Sequence, residues 1–140
     1  MGEYIASEVF DIELNTRRNA KGDDGVFRSG PYAGQGVNVK WYSKHTGILD
    51  VNPHGVSHHY LVLTGPRAGG SPKTNPWLIR EVYLFDGPTV VQHLVSRGCR
   101  VAEASSVLQE HWTEAMVYPH DRHPEYSLTE EQKTALALFA

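Results

Sequence analysis

Ile5, Val9 and Ile12 recur at helical spacing at the start of the chain, with Tyr4 and Leu14 beside that stripe and Glu3 and Glu8 off it. The first segment therefore reads as an amphipathic helix. Glu3 in its first turn suits the positive end of the helix dipole. The helix opens within the first few residues, which suits a compact N-terminus or a piece of something longer. Residues 19–25 are polar and read as a turn, and Val26-Phe27-Arg28 begins a short strand. A glycine-rich loop, residues 30–36, leads into Val37-Asn38-Val39-Lys40-Trp41-Tyr42. That segment alternates, with Val37, Val39 and Trp41 on one face and Asn38, Lys40 and Tyr42 on the other. His59-Tyr60-Leu61-Val62-Leu63 is nearly continuous in apolar residues, as in a central strand covered on both faces.

Residues 65–76 read as a connector, and residues 78–85 as a further strand. Pro88 at a first helical position, a stripe of Val91, Leu94 and Val95, and a stop at Gly98 predict a helix. Residues 100–104 suit an edge strand. Ser106-Val107-Leu108-Gln109 has the capping-box pattern and predicts a helix running to about Tyr118. Ser127-Leu128-Thr129-Glu130 predicts a last helix carrying Leu136 and Phe139. The expected architecture is α/β: a single domain over residues 1–140, with a mixed central β-sheet flanked by helices.

Length and composition fit that picture. A chain of 140 residues can bury a core without disulfides, and its one cysteine, Cys99, cannot form one internally. No apolar run approaches the roughly 20 residues of a membrane span. The first residues lack the basic start and apolar stretch of a signal peptide, so the expected location is cytoplasmic. The net charge of −3 argues against tight nonspecific DNA binding. Charge is uneven, however. Residues 1–80 hold 9 Lys and Arg against 7 Asp and Glu, whereas residues 81–140 hold 4 against 9. A basic-leaning front can face a polyanion, although ordinary scatter produces asymmetry of this size.

The chemistry concentrates at Asp24, Asn38 and Lys40. Residues two apart on a strand point the same way, so Asn38 and Lys40 face one site, and the Asp24 turn can meet them across the strand pair. Hard oxygen ligands hold Mg²⁺, and a bound metal acidifies water and neutralises charge on a phosphate. A neighbouring lysine can position that water or stabilise the transition state. Plain structural uses stand beside this reading: Asp23-Asp24-Gly25 is a good turn sequence, and a lysine can simply face solvent from a strand.

Other motifs are weaker. His54, His58 and His59 suggest zinc, but neighbours on a strand point to opposite faces, and no Cys-x-x-Cys or His-Glu-x-x-His accompanies them. Gly34-Gln35-Gly36 lacks the third glycine of a dinucleotide loop, and residues 65–71 lack the Gly-Lys-Ser/Thr of a P-loop. Cys99 reads as a core or edge thiol. Trp41, Trp77 and Trp112 read as core residues, with Trp77 in its loop the best placed for a partner.

Three segments together resemble the PD-(D/E)XK, or restriction-endonuclease-like, nucleases. Gly2-Glu3-Tyr4-Ile5-Ala6 is similar to the opening helix of that superfamily. Lys21-Gly22-Asp23-Asp24-Gly25-Val26 is similar to its acidic turn, and Val37-Asn38-Val39-Lys40-Trp41-Tyr42 to its second-strand signature. The resemblance covers roughly residues 2–64. Val82-Tyr83-Leu84-Phe85-Asp86, Arg97-Gly98 and residues 112–119 also look like uncharacterised members beyond such a core. It implies a restriction-endonuclease-like core, Mg²⁺ (or Mn²⁺) dependence and DNA as substrate. By position Lys40 is the catalytic lysine, Asp24 the metal-binding aspartate and Glu3 the acidic residue of the first helix. Asn38 and the Val39 carbonyl are the remaining metal ligands. Asn38 departs from the pattern, since the superfamily usually has Asp or Glu there. An amide oxygen brings no charge, so another carboxylate, such as Glu3 or Asp50, would have to compensate. The expectation is a DNA nuclease; the alternative is a catalytically weakened nuclease-fold protein acting as a DNA-binding or scaffold module. Cutting both strands of a duplex needs two sites, which a homodimer would supply, although the sequence itself does not show the oligomeric state.

Overall fold

A computed structural model describes residues 2–15, 23–42, 47–51, 56–65, 79–99 and 105–139. Residues 19–22, His54, residues 66–76, Trp77, Leu78 and the expected edge strand at residues 100–104 lie outside them.

The order is α1 (Gly2–Phe10), β1 (Ile12–Leu14), β2 (Gly25–Phe27), β3 (Gly36–Tyr42), β4 (Ile48–Leu49), β5 (His59–Thr64) and β6 (Glu81–Asp86). Then follow α2 (Gly87–Ser96), β7 (Ser105–Ser106), α3 (Gln109–Ala115), β8 (Met116–Tyr118) and α4 (Glu130–Ala137). Six strands form one mixed sheet in the order β1-β2-β3-β5-β6-β8, and β4 pairs with β7 beside it. Pairing is antiparallel throughout the large sheet except between β3 and β5, which run parallel from Val37↔His59 to Tyr42↔Thr64.

Alternation on β3 and the all-apolar centre of β5 produce two packed layers. Val37, Val39, Leu61, Leu63, Val82 and Leu84 meet Ile5, Ala6 and Phe10 of α1 and Leu136 of α4. On the other face Tyr60, Val62, Tyr83 and Phe85 meet Val90 and Leu94 of α2 and Trp112 of α3. Trp112 is fully buried, edge-on to Tyr83 and Phe85 at centroid distances of 4.8 and 4.9 Å. The mixed sheet flanked by helices is thus the observed architecture.

Several local expectations are corrected. The helical stripe of the first segment stops at Phe10. Asp11 takes a left-handed φ of 54°, and Ile12 and Leu14 turn into β1, where Ile12 pairs with Phe27 and is 1% exposed. Helix α2 buries Val90 and Leu94, while Val95 faces solvent; Asp86 caps it and Gly98, at φ 68°, ends its turn as expected. Ser106 is a strand residue rather than a cap. The cap of α3 is Leu108, without a side-chain bond, and the helix yields at Met116 to β8 instead of running to Tyr118. The last capping box lies two residues later than expected, between Thr129 and Gln132.

Candidate active site

Strand β2 is shorter than β3, and that difference makes the site. It pairs only with Gly36 and Val37, so from Asn38 onward β3 has no β2 backbone beside it. Asp24, just ahead of β2, completes the ladder there. Its N–H donates to the Val37 carbonyl at 2.9 Å, and its carbonyl accepts from the Asn15 N–H at 2.7 Å. Its carboxylate then replaces the missing strand: the Val39 N–H donates to Asp24 Oδ2 at 2.6 Å. A residue's N–H and C=O project to the same side of a strand, so the Val39 carbonyl also points toward Asp24.

The N-terminus of α1 brings Glu3 over the same edge, close enough for its carboxyl to share a hydrogen bond with that of Asp24. Lys40, two residues past Asn38 on the same face of β3, lies near enough for its charge to act on the same group. The Asp24 carboxyl is raised above its ordinary value, first by burial and further by the charge and hydrogen bond of Glu3. The Val39 N–H and the Lys40 ammonium oppose that rise. Glu3, the Val39 N–H and Lys40 therefore all act on Asp24, and Asn38, half-buried, shares a face of β3 with Lys40. Asp50 sits farther along, its N–H donating to the Tyr42 hydroxyl at 3.0 Å. Burial, with Asp50 alongside, pushes that hydroxyl up to about 12.

Among the described residues no group of three or more His, Cys, Asp or Glu side chains forms a metal cluster. At this edge the carboxyl groups of Asp24 and Glu3 lie beside the Val39 main chain.

A second concentration of polar groups was not legible as a site. Tyr32, His58, His59, His93, His111, His123 and Glu125 line a cavity of about 500 Å³ where β5 begins and β6 ends. The expectation that His58 and His59 diverge is corrected. His58 lies in a bend before β5, outside the strand alternation, and the two rings stack at 4.7 Å and 17°. Burial holds His59 down to about 4, with the neighbouring His58 adding to the effect. No short motif links these residues; only the tertiary fold brings them together. Cys99 is a free thiol packed against the α2–α3 core layer.

Comparisons of the chain with protein families, with curated proteins and with solved structures give no match.

Proposed function

We propose that the protein is a divalent-cation-dependent nuclease acting on DNA, with a restriction-endonuclease-like core. The observation that carries this reading is that Glu3 and Lys40 act on Asp24, whose carboxylate accepts the Val39 N–H at the edge where β2 stops. The order within the large sheet also supports it: a helix, three antiparallel strands β1 to β3, and β5 running parallel to β3.

The donor set fits a hard cation. Burial is the chief cause of the raised Asp24 carboxyl and the nearby Glu3 adds to it, so a cation beside the two carboxyl groups would offset part of the cost of ionising them. Glu3, Asp24, the Asn38 amide oxygen and the Val39 carbonyl would hold Mg²⁺ or Mn²⁺, which both favour oxygen ligands. Such an ion, when bound, acidifies a coordinated water and offsets charge on a phosphate. The protein's own groups supply the rest. The Val39 N–H fixes the Asp24 carboxylate, so the donor set is held before a substrate arrives. Lys40 offers an ammonium to a scissile phosphate oxygen or to an attacking water, stabilising charge as it develops.

Asn38 favours a second reading, a nuclease-fold DNA-binding module with weakened cleavage, because its amide contributes no charge to the ion. Incubation of the purified chain with linear and circular DNA, with Mg²⁺ or Mn²⁺ and then with a chelator, separates the two. The nuclease reading expects cation-dependent strand breaks. DNA binding without breaks under every cation would replace it with the module.

A further inference from the structure

The histidine-lined cavity has a build that the carboxylate site does not use. One wall is a column of rings: His58 on His59 at 4.7 Å and 17°, and His59 on Tyr32 at 4.1 Å and 27°. Tyr126 stands behind Tyr32 at 6.0 Å and 19°. The facing wall carries a second pair, His93 of α2 on His111 of α3, at 3.8 Å and 14°. Five of the chain's eight histidines line this one space, which scatter would not produce.

The charges around the cavity restrict what it can take. Asp86, Glu114 and Glu125 face it, against the single guanidinium of Arg97, which already donates to the Ser106 carbonyl at 3.0 Å. A phosphate or carboxylate would meet three like charges against one guanidinium, part of whose donor set is already used. The Tyr32 hydroxyl donates to Glu125 Oε2 at 2.9 Å, and Asp86 Oδ2 accepts the Thr89 N–H at 3.0 Å, so each carboxylate is fixed through one oxygen. A carboxylate has further acceptor capacity on its other oxygen. The exposed His58 ring at the end of the column and the fixed acceptors suit a planar heterocycle that carries hydrogen-bond donors.

We propose that this cavity binds a nucleobase bearing an exocyclic amine, of the cytosine or adenine type, stacked on His58 at the end of the ring column with its amine toward the carboxylates. The volume lies in the range of small-molecule sites and accommodates a nucleoside. Base–aromatic stacking supplies the affinity and the acceptors supply the choice of base. His59 stays neutral at physiological pH, so its stack with His58, which holds the end ring in place, carries no charge repulsion. The cavity adjoins the carboxylate edge through Gln35. Its Oε1 lies 2.6 Å from His59 Nε2, and it precedes Asn38 by three residues, roughly 10 Å of extended chain. The source of the base is a free nucleoside or a base in a strand. A base seated beside the phosphate to be cut rests on the nuclease reading, whereas the ligand chemistry does not.

The test is calorimetric titration of the full chain without divalent cation at about neutral pH. The probes are cytidine, adenosine, uridine, inorganic phosphate, and a short single-stranded oligodeoxynucleotide with and without abasic positions. Saturable binding of cytidine or adenosine is expected in about the millimolar range or tighter. Uridine should bind at least about threefold more weakly, and phosphate should neither bind nor compete. His58→Ala, at an exposed position, and Tyr32→Ala should each weaken binding by about fivefold or more, while Tyr32→Phe keeps the ring and stays within about threefold. Tighter binding of the oligonucleotide that abasic positions abolish assigns the base to a strand. Equal affinity for nucleoside and strand assigns a free nucleoside. No saturation by any nucleoside overturns the proposal, as do competition by phosphate or unchanged affinity in both alanine variants. Nucleoside binding without DNA cleavage would sink the nuclease reading alone; cleavage without nucleoside binding would sink this proposal alone.

Discussion

Asp24 carries a structural and a chemical role through one carboxylate. Its Oδ2 stands in for a strand's carbonyl by accepting the Val39 N–H, and the group is also pressed against Glu3. Because burial and Glu3 raise its pKa in the folded chain, ionising Asp24 costs stability. That cost is absent at pH values below the unfolded value, about 3.9. It grows as pH rises through the higher folded value. Asp24→Asn keeps an oxygen for Val39 and has no proton to lose. We expect its stability relative to wild type to improve as pH is raised from about 3 to about 7 in metal-free buffer, read from urea midpoints. A relative stability that falls over that window would contradict the arrangement. Asn38 gives the second test at this scale. Asn38→Asp is nearly isosteric and adds a formal charge to the donor set, so Mn²⁺ should bind more tightly, by about tenfold for each ~1.4 kcal/mol gained. Calorimetric titration of both proteins at one pH and ionic strength measures it. Equal affinity would remove position 38 from the cation site.

At the scale of elements, tolerance should follow what a new methyl group would meet. A Cβ at Gly87 would collide with the Ser57 carbonyl, where α2 leaves β6, and backbone cannot swing aside. A Cβ at Gly36 would collide with the Asp23 carboxylate, a side-chain group and not backbone. We expect Gly87→Ala to cost about 2 kcal/mol or more and Gly36→Ala about 1 kcal/mol or less, as measured by denaturant unfolding. The reverse ranking would contradict the packing at the β6–α2 junction. The same contrast of local and long-range forces decides what the sequence made legible. Strands β3 and β5 were readable because burial on one face or both writes a period into adjacent residues. The end of α1 was not. Ile12 continues the helical stripe of Ile5 and Val9, yet pairing with Phe27 across the sheet outweighs that local preference. Likewise, the sequence of α3 runs without a break into β8, and only the edge of β6 makes Met116 to Tyr118 extended. The nearness of Asp24 and Lys40 was legible because strand alternation sets the face of the one and a short turn the place of the other. The ring-lined cavity draws on the residue 30–36 loop, β5, α2, α3 and the segment after β8, which no local pattern connects.

At the scale of the whole molecule, the sheet separates two helical layers and leaves its β2–β3 edge incomplete. That gap is where the acidic residues and Lys40 gather. Among the described residues no helix is long and apolar enough to cross a membrane. On the nuclease reading, breaking both strands of a duplex takes two such edges, which is the reason to expect a pair of chains on DNA. The reading concentrates on one ammonium. Lys40 is half-buried on the polar face of β3, so its removal should open no core cavity and leave the fold intact. The decisive measurement is the single-turnover rate of DNA strand breakage in Mg²⁺ by wild type and by Lys40→Ala, with unfolding curves as the control. A wild-type protein that cuts and a folded variant slowed by about a hundredfold or more is the predicted result. A folded variant that cuts at the wild-type rate would contradict the account.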